Sequence, residues 1–497
     1  MDAILSVLHI NVLIPWILAM CLGIFVGGVP GLTATMAVAL IVPITYHMSP
    51  IAGLAMIIGV SFTSIFAGDI PATFLRMPGT PASGAAVLDG YKLAQKNKGS
   101  LAITIDLLCS AIGGIIGILI LIFISPLLAS FALKFTHFEY FWLGVLGLSM
   151  STIISKGAKM KGVIAIVMGV LISTIGIDIA TGYPRFSFGN VELMNGIGFI
   201  PVMIGLFGIS EVFRSILYTK DLNTSTIKEK ITMSFSSIKG IMVKHTRLIL
   251  QSSVIGNLIG ALPGAGADIA AWVSYGVAKK TSKKPEEFGE GSIEGVIAPT
   301  SANNAALGGS WIPALVFGIP GDTITSIVLG AMLMYGLKPG PLIFETEHFL
   351  VNQIFSVGLI SQVFLVLIGY IGIKAYTKIF KFPRNIVYTG IILFSIVGSY
   401  AIRNSIFDVG IILVFGIVGF FMEKSEIPLP PMILGLILGP MIEENLRVGL
   451  IKTDGNFLAF LTRPISLVLC LIVVFLYLGE PVKKLIVSLI KKKTTNQ

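Results

Sequence analysis

The stretch GIFVGGVPG at residues 23–31 recurs as GNLIGALPG at residues 256–264, which is 233 residues further along the chain. Both stretches follow the pattern Gly-x-x-x-Gly-x-x-Pro-Gly. Pro-Gly interrupts a helix, and glycines allow close approach of another backbone. The shared pattern therefore predicts a break at mid-depth in each stretch, at the tip of a re-entrant hairpin.

A second pair of stretches repeats in the same order. Ile70-Pro71-Ala72, five further residues and Pro78-Gly79 match Ile312-Pro313-Ala314, five further residues and Pro320-Gly321, at an offset of 242 residues. The two offsets differ by nine residues, which the polar loop KKTSKKPEEFGEGS of the second copy accommodates. A chain with 55 Gly and 24 Pro contains some Pro-Gly coincidences, but two ordered matches with one local insertion favour an internal repeat.

The composition excludes an ordinary water-soluble enzyme. Of the 497 residues, 55% are hydrophobic and 12% are charged, against about 25% charged in a soluble domain. At about 20 apolar residues per crossing, the chain could supply roughly a dozen membrane-spanning helices. We therefore predict an all-α polytopic membrane protein built from inverted-topology repeats, with re-entrant helical hairpins and broken helices.

The basic residues set the predicted orientation of the repeats, because Lys and Arg clusters between apolar stretches indicate cytoplasmic loops. Five crossings fit between the two copies, and this odd number places the second copy upside down relative to the first. We expect a first membrane repeat at 1–220, a cytoplasmic linker at 221–247 and a second, inverted repeat at 248–497. The predicted hairpins are broken segments at 14–47, 70–90, 248–278 and 309–337, with crossings at 51–68 and 291–308 between the members of each pair.

Inverted repeats are typical of secondary transporters, in which broken helices line a polar cavity near the middle of the bilayer. The N-termini of half-helices suit carboxylate ligands, and their C-terminal carbonyls suit sodium or a similar cation. Hydroxyls and amides near the breaks are therefore candidates for contact with substrate, although Ser and Thr also bond to their own helix. The predicted substrate-binding residues are Pro30, Gly31, Thr33, Thr35, Arg76, Gly79, Thr80, Ser83, Gly264, Gly266, Ser301, Asn303, Asn304 and Gly321.

Charged side chains within apolar stretches are functional candidates by default. We assign cation coupling to Asp69, Asp268 and Asp322, together with Asn303, and leave the ligands of a possible sodium ion open. Asp106 and Asp178 also lie in apolar stretches, and the latter is expected at a helix end. Arg76 has two interpretations: it could bind an anionic substrate, or it could form a structural ion pair with Asp69, seven residues earlier.

Other classes of function find less support in the sequence. The chain has neither the phosphate-binding pattern G-x-x-x-x-G-K-[ST] nor H-E-x-x-H, so ATP-driven transport and zinc protease chemistry are not predicted. No cofactor is expected apart from sodium or a proton as coupling ion, and Cys21, Cys109 and Cys470 show no metal-binding spacing. A passive organic-anion channel remains an alternative, as does an intramembrane aspartyl enzyme that uses Asp268.

The chain resembles the large membrane subunit of the tripartite tricarboxylate transporter family, the TctA type, over essentially its whole length. The matching strings are GGVPGLTATMAVAL, PGTPASGAAVLDGYKLA, GNLIGALPGAGADIAAWVSY and SKKPEEFGEGSIEGVIAPTSANNAALGGSWIPALVFGIPGD with its continuation to GLKPGP. The resemblance implies a multi-pass permease of the bacterial cytoplasmic membrane that imports carboxylates with an ion gradient. It further implies a small membrane subunit of about four helices and a periplasmic or lipid-anchored solute-binding protein.

Two positions depart from the family pattern. Thr300 stands where an acidic residue is more typical, and Arg76 stands where Asn is more typical. We therefore expect the site residues implied by the resemblance to be Asn303, Asn304 and the Pro-Gly breaks rather than Arg76, and neither citrate nor sodium follows from the resemblance alone.

Overall fold

The computed structural model describes residues 2–29, 32–154, 159–178, 181–218, 235–379 and 384–477. Pro30 and Gly31, at the first predicted hairpin tip, lie outside these residues, as does most of the predicted linker. The described chain is almost entirely helical, as the apolar composition predicts.

The helices of the first half, in chain order, are α1 (Asp2–Val7), α2 (Ile10–Gly28), α3 (Ala34–Thr45), α4 (Pro50–Leu75), α5 (Ala86–Gln95), α6 (Gly99–Ala132), α7 (His137–Ile154), α8 (Lys159–Ser173), α9 (Val191–Met194), α10 (Phe199–Met203) and α11 (Ser210–Tyr218). A π-helical segment, Ile204–Ile209, joins α10 to α11.

The helices of the second half are α12 (Phe235–Lys244), α13 (Thr246–Gly260), α14 (Gly266–Thr281), α15 (Ile293–Phe317), α16 (Thr323–Met334), α17 (Ile343–Thr346), α18 (His348–Ile379), α19 (Arg384–Arg403), α20 (Ile406–Lys424), α21 (Leu429–Lys452) and α22 (Pro464–Tyr477). Short 3₁₀ helices occupy Pro81–Ser83, Pro285–Glu287 and Phe457–Leu461.

Six helical stretches of the described chain are long and apolar enough to cross a membrane: Ile10–Gly28, Pro50–Leu75, Gly99–Ala132, Phe199–Leu217, His348–Tyr376 and Ile406–Lys424. Shorter apolar helices at Ala34–Thr45, Thr323–Met334, Tyr388–Ala401 and Pro464–Tyr477 add to them. The fold is that of a polytopic all-α membrane protein. The number of crossings and the inverted orientation of the repeats stay predictions.

The chain divides into two compact units, and each takes one part from each half of the sequence. The first unit comprises Met1–Ala132 and Gly198–Ser425, and the second comprises Leu133–Ile197 and Glu426–Gln497. This division does not follow the predicted repeat boundaries at 1–220 and 248–497, which describe sequence repeats rather than compact units and stay a prediction.

One group of polar contacts in the second unit lies around an arginine. Arg447 pairs with Asp178 at 2.9 Å and with Glu443 at 2.7 Å. A two-residue antiparallel ladder joins β1 (Gly176–Ile177) to β2 (Pro184–Arg185), and Arg185 also pairs with Glu443 at 2.6 Å. The contact with Arg447 gives Asp178 a structural role close to the end of α8.

The glycines of the repeated motif account for its spacing, because they bring backbones into direct contact. A side chain at Gly27 of α2 would collide with the carbonyl oxygen of Ser64 in α4. A side chain at Gly260 of α13 would collide with the carbonyl oxygen of Ala306 in α15. Gly27 corresponds to Gly260 at the offset of 233 residues, and Ser64 corresponds to Ala306 at the offset of 242. The internal repeat of the sequence is therefore also a repeat of helix packing.

The helices α4 and α15 also end in the same way. Arg76 follows α4 with a φ of 58°, and Gly318 follows α15 with a φ of 68°, so both residues are left-handed C-caps. In each copy the next amide reaches back to a proline carbonyl, from Met77 N to Pro71 O at 3.3 Å and from Ile319 N to Pro313 O at 3.2 Å. The chain therefore turns back onto the last turns of the helix in the same way in both copies.

The long helices run further than their predicted crossings. The sequence predicts breaks that begin near residues 70 and 309, whereas α4 continues to Leu75 and α15 continues to Phe317. Each helix passes its internal proline by four residues before it ends. The left-handed caps that follow, rather than the prolines, therefore mark where these helices end.

Candidate functional site

In the second copy, the tip of the predicted hairpin 248–278 lies against the break at Pro320-Gly321. Gly264 and Gly266 adopt φ values of 85° and 59°, a region that favours glycine. The amide of Gly264 donates to the carbonyl oxygen of Gly321 at 2.8 Å. The two breaks predicted from the second copy therefore meet in the structure.

In both copies, the glycine of the second Pro-Gly pair packs directly against neighbouring backbone. These glycines are Gly79 and Gly321. A Cβ on Gly79 would lie 2.6 Å from the Cα of Gly68, and a Cβ on Gly321 would lie 2.6 Å from the Cα of Ser310. The same substitutions would collide with the carbonyl oxygens of Gly27 and Gly260, respectively. Only glycine allows this approach, which explains why both positions carry it.

Helices α3 and α16, which come from different copies, run side by side in parallel. Near their N-terminal ends, the hydroxyl oxygens of Thr35 and Thr323 lie 3.0 Å apart. Near their C-terminal ends, the hydroxyl of Tyr335 donates to the carbonyl oxygen of Thr45 at 2.6 Å. Two helix N-termini therefore lie at one place in the first unit.

A third N-terminus joins them. Helix α14 begins at Gly266, and a Cβ on Gly266 would lie 3.0 Å from the Cβ of Asp322, which caps α16. Thr35, Thr323, Asp322 and Asp268 of the first turn of α14 are all partly exposed. We call the N-terminal ends of α3, α14 and α16 the N-terminal cluster.

The side chains at these starts cap their own helices. The hydroxyl of Thr33 accepts from Met36 N at 3.1 Å. The Asp322 Oδ1 atom accepts from the amide and from the hydroxyl of Thr325, both at 2.7 Å. In the first copy, Thr80 and Ser83 correspond to Asp322 and Thr325, and their hydroxyl oxygens lie 2.9 Å apart. The capping leaves Oδ2 of Asp322 outside these bonds.

The two adjacent amides of α15 are completely buried. Asn303 Nδ2 donates to Asp69 Oδ2 at 3.3 Å, so two residues predicted for cation coupling meet. Among the described residues, Asn303 Oδ1, the Ser301 hydroxyl and both amide atoms of Asn304 have no hydrogen-bond partner. Buried polar atoms in this condition indicate a missing partner, such as an ion or water.

Arg76 does not form the ion pair that one of its two interpretations expects. Its guanidinium carbon lies 5.9 Å from the ring centre of Tyr91 in α5, and its backbone forms the cap of α4. Within the described part of the chain it makes no ion pair with Asp69, whose neighbours are Ser83, Asn303 and Asp106.

The sequence analysis missed a buried carboxylate in α5. Asp89 Oδ1 accepts from the amides of Gly289, Gly291 and Ser292 at 2.7–2.9 Å, and Asp89 Oδ2 accepts from the hydroxyl of Tyr275 at 2.9 Å. These bonds fix the polar loop of the second copy on a helix of the first. Asp89 lies within LDGYKLA, a string that resembles the family, but nothing local predicts its partners.

Asp106 was noted as an intramembrane charge but was not assigned to a site. It lies on α6, is completely buried, and is close to Asp69. Its Oδ1 accepts from Ser110 at 3.3 Å. In the described chain, no group of three or more His, Cys, Asp or Glu side chains gathers as metal ligands would.

Comparison with known proteins identifies the family of the chain. The sequence model described as "Tripartite tricarboxylate transporter TctA family" matches residues 13–434. The chain belongs to the TctA family. As a TctA protein it is a membrane component of a tripartite transporter, a system with further subunits and a binding protein, and TctA is a transporter family rather than an enzyme family. The resemblance seen in the sequence is thereby confirmed.

Two relatives in Agrobacterium vitis support the assignment to TctA. One, described as "Uncharacterized 52.8 kDa protein in TAR-I ttuC' 3'region", is 36% identical over 445 residues, which covers 90% of this chain and 88% of the relative. The other, "Uncharacterized protein in TAR-II ttuC' 3'region", is 38% identical over 211 residues, which covers 42% of this chain and 87% of the relative. No solved structure matches the chain significantly.

Proposed function

We propose that this TctA protein is the permease subunit of a secondary transporter that imports di- or tricarboxylates together with a cation by alternating access. It would act in the bacterial cytoplasmic membrane with a small four-helix membrane subunit. A periplasmic or lipid-anchored solute-binding protein would deliver the substrate. The observation that carries the proposal is the parallel pairing of α3 with α16 through Thr35 and Thr323.

The N-terminal cluster suits a carboxylate group. Each helix N-terminus carries a partial positive charge and amides without an intrahelical partner, and α3 and α16 present these features side by side. The hydroxyls of Thr35 and Thr323 can donate to a carboxylate oxygen. Gly266 adds a backbone approach without a side chain, which favours contact between ligand and main chain.

The acidic residues near the same place require a cation. Asp268 and Asp322 lie in the N-terminal cluster, and Asp69 with Asn303 lies beside the first copy's break. An anionic substrate would be repelled by uncompensated carboxylates, so a coupling cation that binds with it stabilises the loaded site. Cation symport is therefore favoured over a passive anion channel.

The matching of packing contacts between the copies supports alternating access. Two copies with equivalent helix-packing contacts can exchange roles, which gives two states of similar energy. The contact between Thr35 and Thr323 joins the two copies through side chains. Inside each copy, by contrast, α2 packs on α4 and α13 packs on α15 through direct backbone contacts.

Reconstitution in liposomes with the small subunit and the binding protein tests this proposal. We expect saturable uptake of radiolabelled citrate, tartrate or succinate that needs the binding protein and an inward sodium or proton gradient. Uptake driven by ATP without any gradient would contradict the proposal, and so would flux that rises linearly with substrate.

A matched pair of variants connects uptake to the N-terminal cluster. Thr323→Val removes a hydroxyl that we expect to bind substrate, so the KM for the carboxylate should rise about five- to tenfold. Thr346→Val removes an exposed hydroxyl that bonds to its own helix and should leave uptake unchanged. Equal kinetics of the two variants would remove Thr323 from the substrate site.

A further inference from the structure

We propose that Asp69, Asp106 and Asn303, together with Ser301, form a buried site for one sodium ion. Three helices supply these residues: α4 of the first copy, α6, and α15 of the second copy. The inference rests on the proposed function only for the role of the ion in transport. Binding of the ion follows from the residues themselves.

The first observation concerns a pair of carboxyl groups. Asp69 and Asp106 are both fully buried, and their side chains lie within hydrogen-bonding reach of each other. Apart from this mutual contact, Asp69 Oδ1 and Asp106 Oδ2 have no hydrogen-bond partner among the described residues. Two neighbouring buried carboxyl groups cannot both stay charged without compensation, because the interior does not screen their repulsion.

Other buried acids of the chain have a visible compensating partner, which sets this pair apart. Asp408 pairs with Arg403, and Asp178 pairs with Arg447. Asp89 receives three backbone amides and a tyrosine hydroxyl. The side chains that hydrogen-bond to Asp69 and Asp106 are those of Ser83, Ser110, Asn303 and the two aspartates themselves, and none of these carries positive charge.

The second observation concerns neutral oxygens next to the pair. Asn303 donates its amide nitrogen to Asp69, which leaves its buried Oδ1 without a partner. Cys109 lies close to Asp106 and contacts the buried Ser301 hydroxyl, which has no nitrogen or oxygen partner in the described chain. A hard cation prefers such oxygen ligands, whereas a proton satisfies at most two of them.

Charge selects a monovalent ion. The contact between the two carboxyls requires one proton between them, and the pair then carries a single negative charge. One sodium ion balances this charge, while a divalent ion leaves an excess of positive charge in a buried place.

The position of the pair connects it to the predicted substrate region. Ser83 lies beside Asp69, and its hydroxyl contacts that of Thr80 at 2.9 Å. Gly68, the residue before Asp69, packs directly against Gly79. An ion at Asp69 therefore stabilises the same backbone break whose hydroxyls were predicted to bind substrate, which gives a direct route for coupling.

Sodium binding to the purified full-length protein tests the site without substrate or partners. We expect saturable binding of ²²Na⁺ in choline chloride and a rise in melting temperature that sodium gives but potassium and magnesium do not. Asp69→Asn and Asp106→Asn should each weaken sodium binding at least about tenfold, since each breaks up the carboxyl pair that holds the negative charge and replaces one of its oxygens by an amide nitrogen. Ser125→Ala, which removes a buried hydroxyl of α6 bonded to its own helix, should bind sodium as the parent does.

A second measurement keeps the test decisive if the aspartate variants do not fold. In the parent protein, sodium should slow hydrogen exchange in peptides that cover residues 64–84, 101–112 and 297–308. Absence of this protection would overturn the site, as would equal stabilisation by potassium or magnesium, or a response to pH alone. Uptake that fails while sodium still binds at these residues would contradict the proposed function and leave the site in place.

Discussion

At the residue scale, Asp322 combines a structural and a predicted functional role in one carboxyl group. Its Oδ1 atom completes a capping box with Thr325. Asn can form the same cap, whereas Ala cannot. The two substitutions therefore separate the cap from any function of the negative charge.

We expect Asp322→Ala to lower the free energy of unfolding by about 1 kcal/mol, because the first amides of α16 lose their acceptor. Asp322→Asn should keep most of that stability. Thermal unfolding in detergent measures both variants, and the sodium dependence of uptake shows what the charge adds. Equal destabilisation by Asn and Ala would contradict the capping role.

The two helix caps provide a second test at single residues, because Arg76 and Gly318 occupy equivalent left-handed positions. Gly318→Ala should lower the free energy of unfolding by about 1 kcal/mol, since a Cβ strains this backbone conformation. Arg76→Gly should be neutral or slightly stabilising and should leave the KM for the carboxylate unchanged. A marked rise in KM for Arg76→Gly would instead support the substrate-binding interpretation of the arginine.

At the scale of elements, Asp89 of α5 holds the loop that follows α14. Three amides of this loop donate to one carboxylate oxygen, and hydrogen bonds to a charged group are stronger than those between neutral groups. The loop therefore depends on a single side chain that lies about 200 residues earlier in the chain.

Asp89→Asn should speed hydrogen exchange of residues 282–292 at least about tenfold, because the neutral amide oxygen accepts these bonds more weakly. Glu290→Gln is the control: its ion pair with Lys92 is exposed at 3.5 Å, so its loss should change little. Unchanged exchange in Asp89→Asn would show that the loop is held by other contacts.

Elements also show where sequence reasoning succeeds and where it fails. The internal repeat that contains Gly27 and Gly260 could be found in the sequence, because glycines that pack against a neighbouring backbone leave a local trace. The left-handed cap at Arg76 leaves no such trace, since the residue that favours this conformation is absent there. The pairing of Asp69 with Asp106 is also invisible, because it depends on how α4 and α6 pack rather than on either helix alone.

At the scale of the whole molecule, the proposed transport cycle requires the two copies to move relative to each other. Thr35 and Thr323 belong to different copies and are in contact at 3.0 Å. A covalent bond at this point should therefore hold one state of the cycle.

We expect the double substitution Thr35→Cys and Thr323→Cys to form a disulfide on mild oxidation, in a background where the three free native cysteines have been replaced. Uptake should fall to background and return after reduction, because α3 and α16 can no longer separate. Each single cysteine variant serves as the control. Full uptake by the cross-linked protein would contradict movement between these helices.

The direct backbone contacts along α2 with α4, and along α13 with α15, have a mechanical consequence. No layer of side chains lies between the carbonyls of Ser64 and Ala306 and the glycines that face them, so no rotamer change can let either pair slide. Each of these two helix pairs must therefore move as one rigid body. Flexibility in a working cycle is then confined to surfaces where side chains meet, and the glycines decide which parts of the protein stay together.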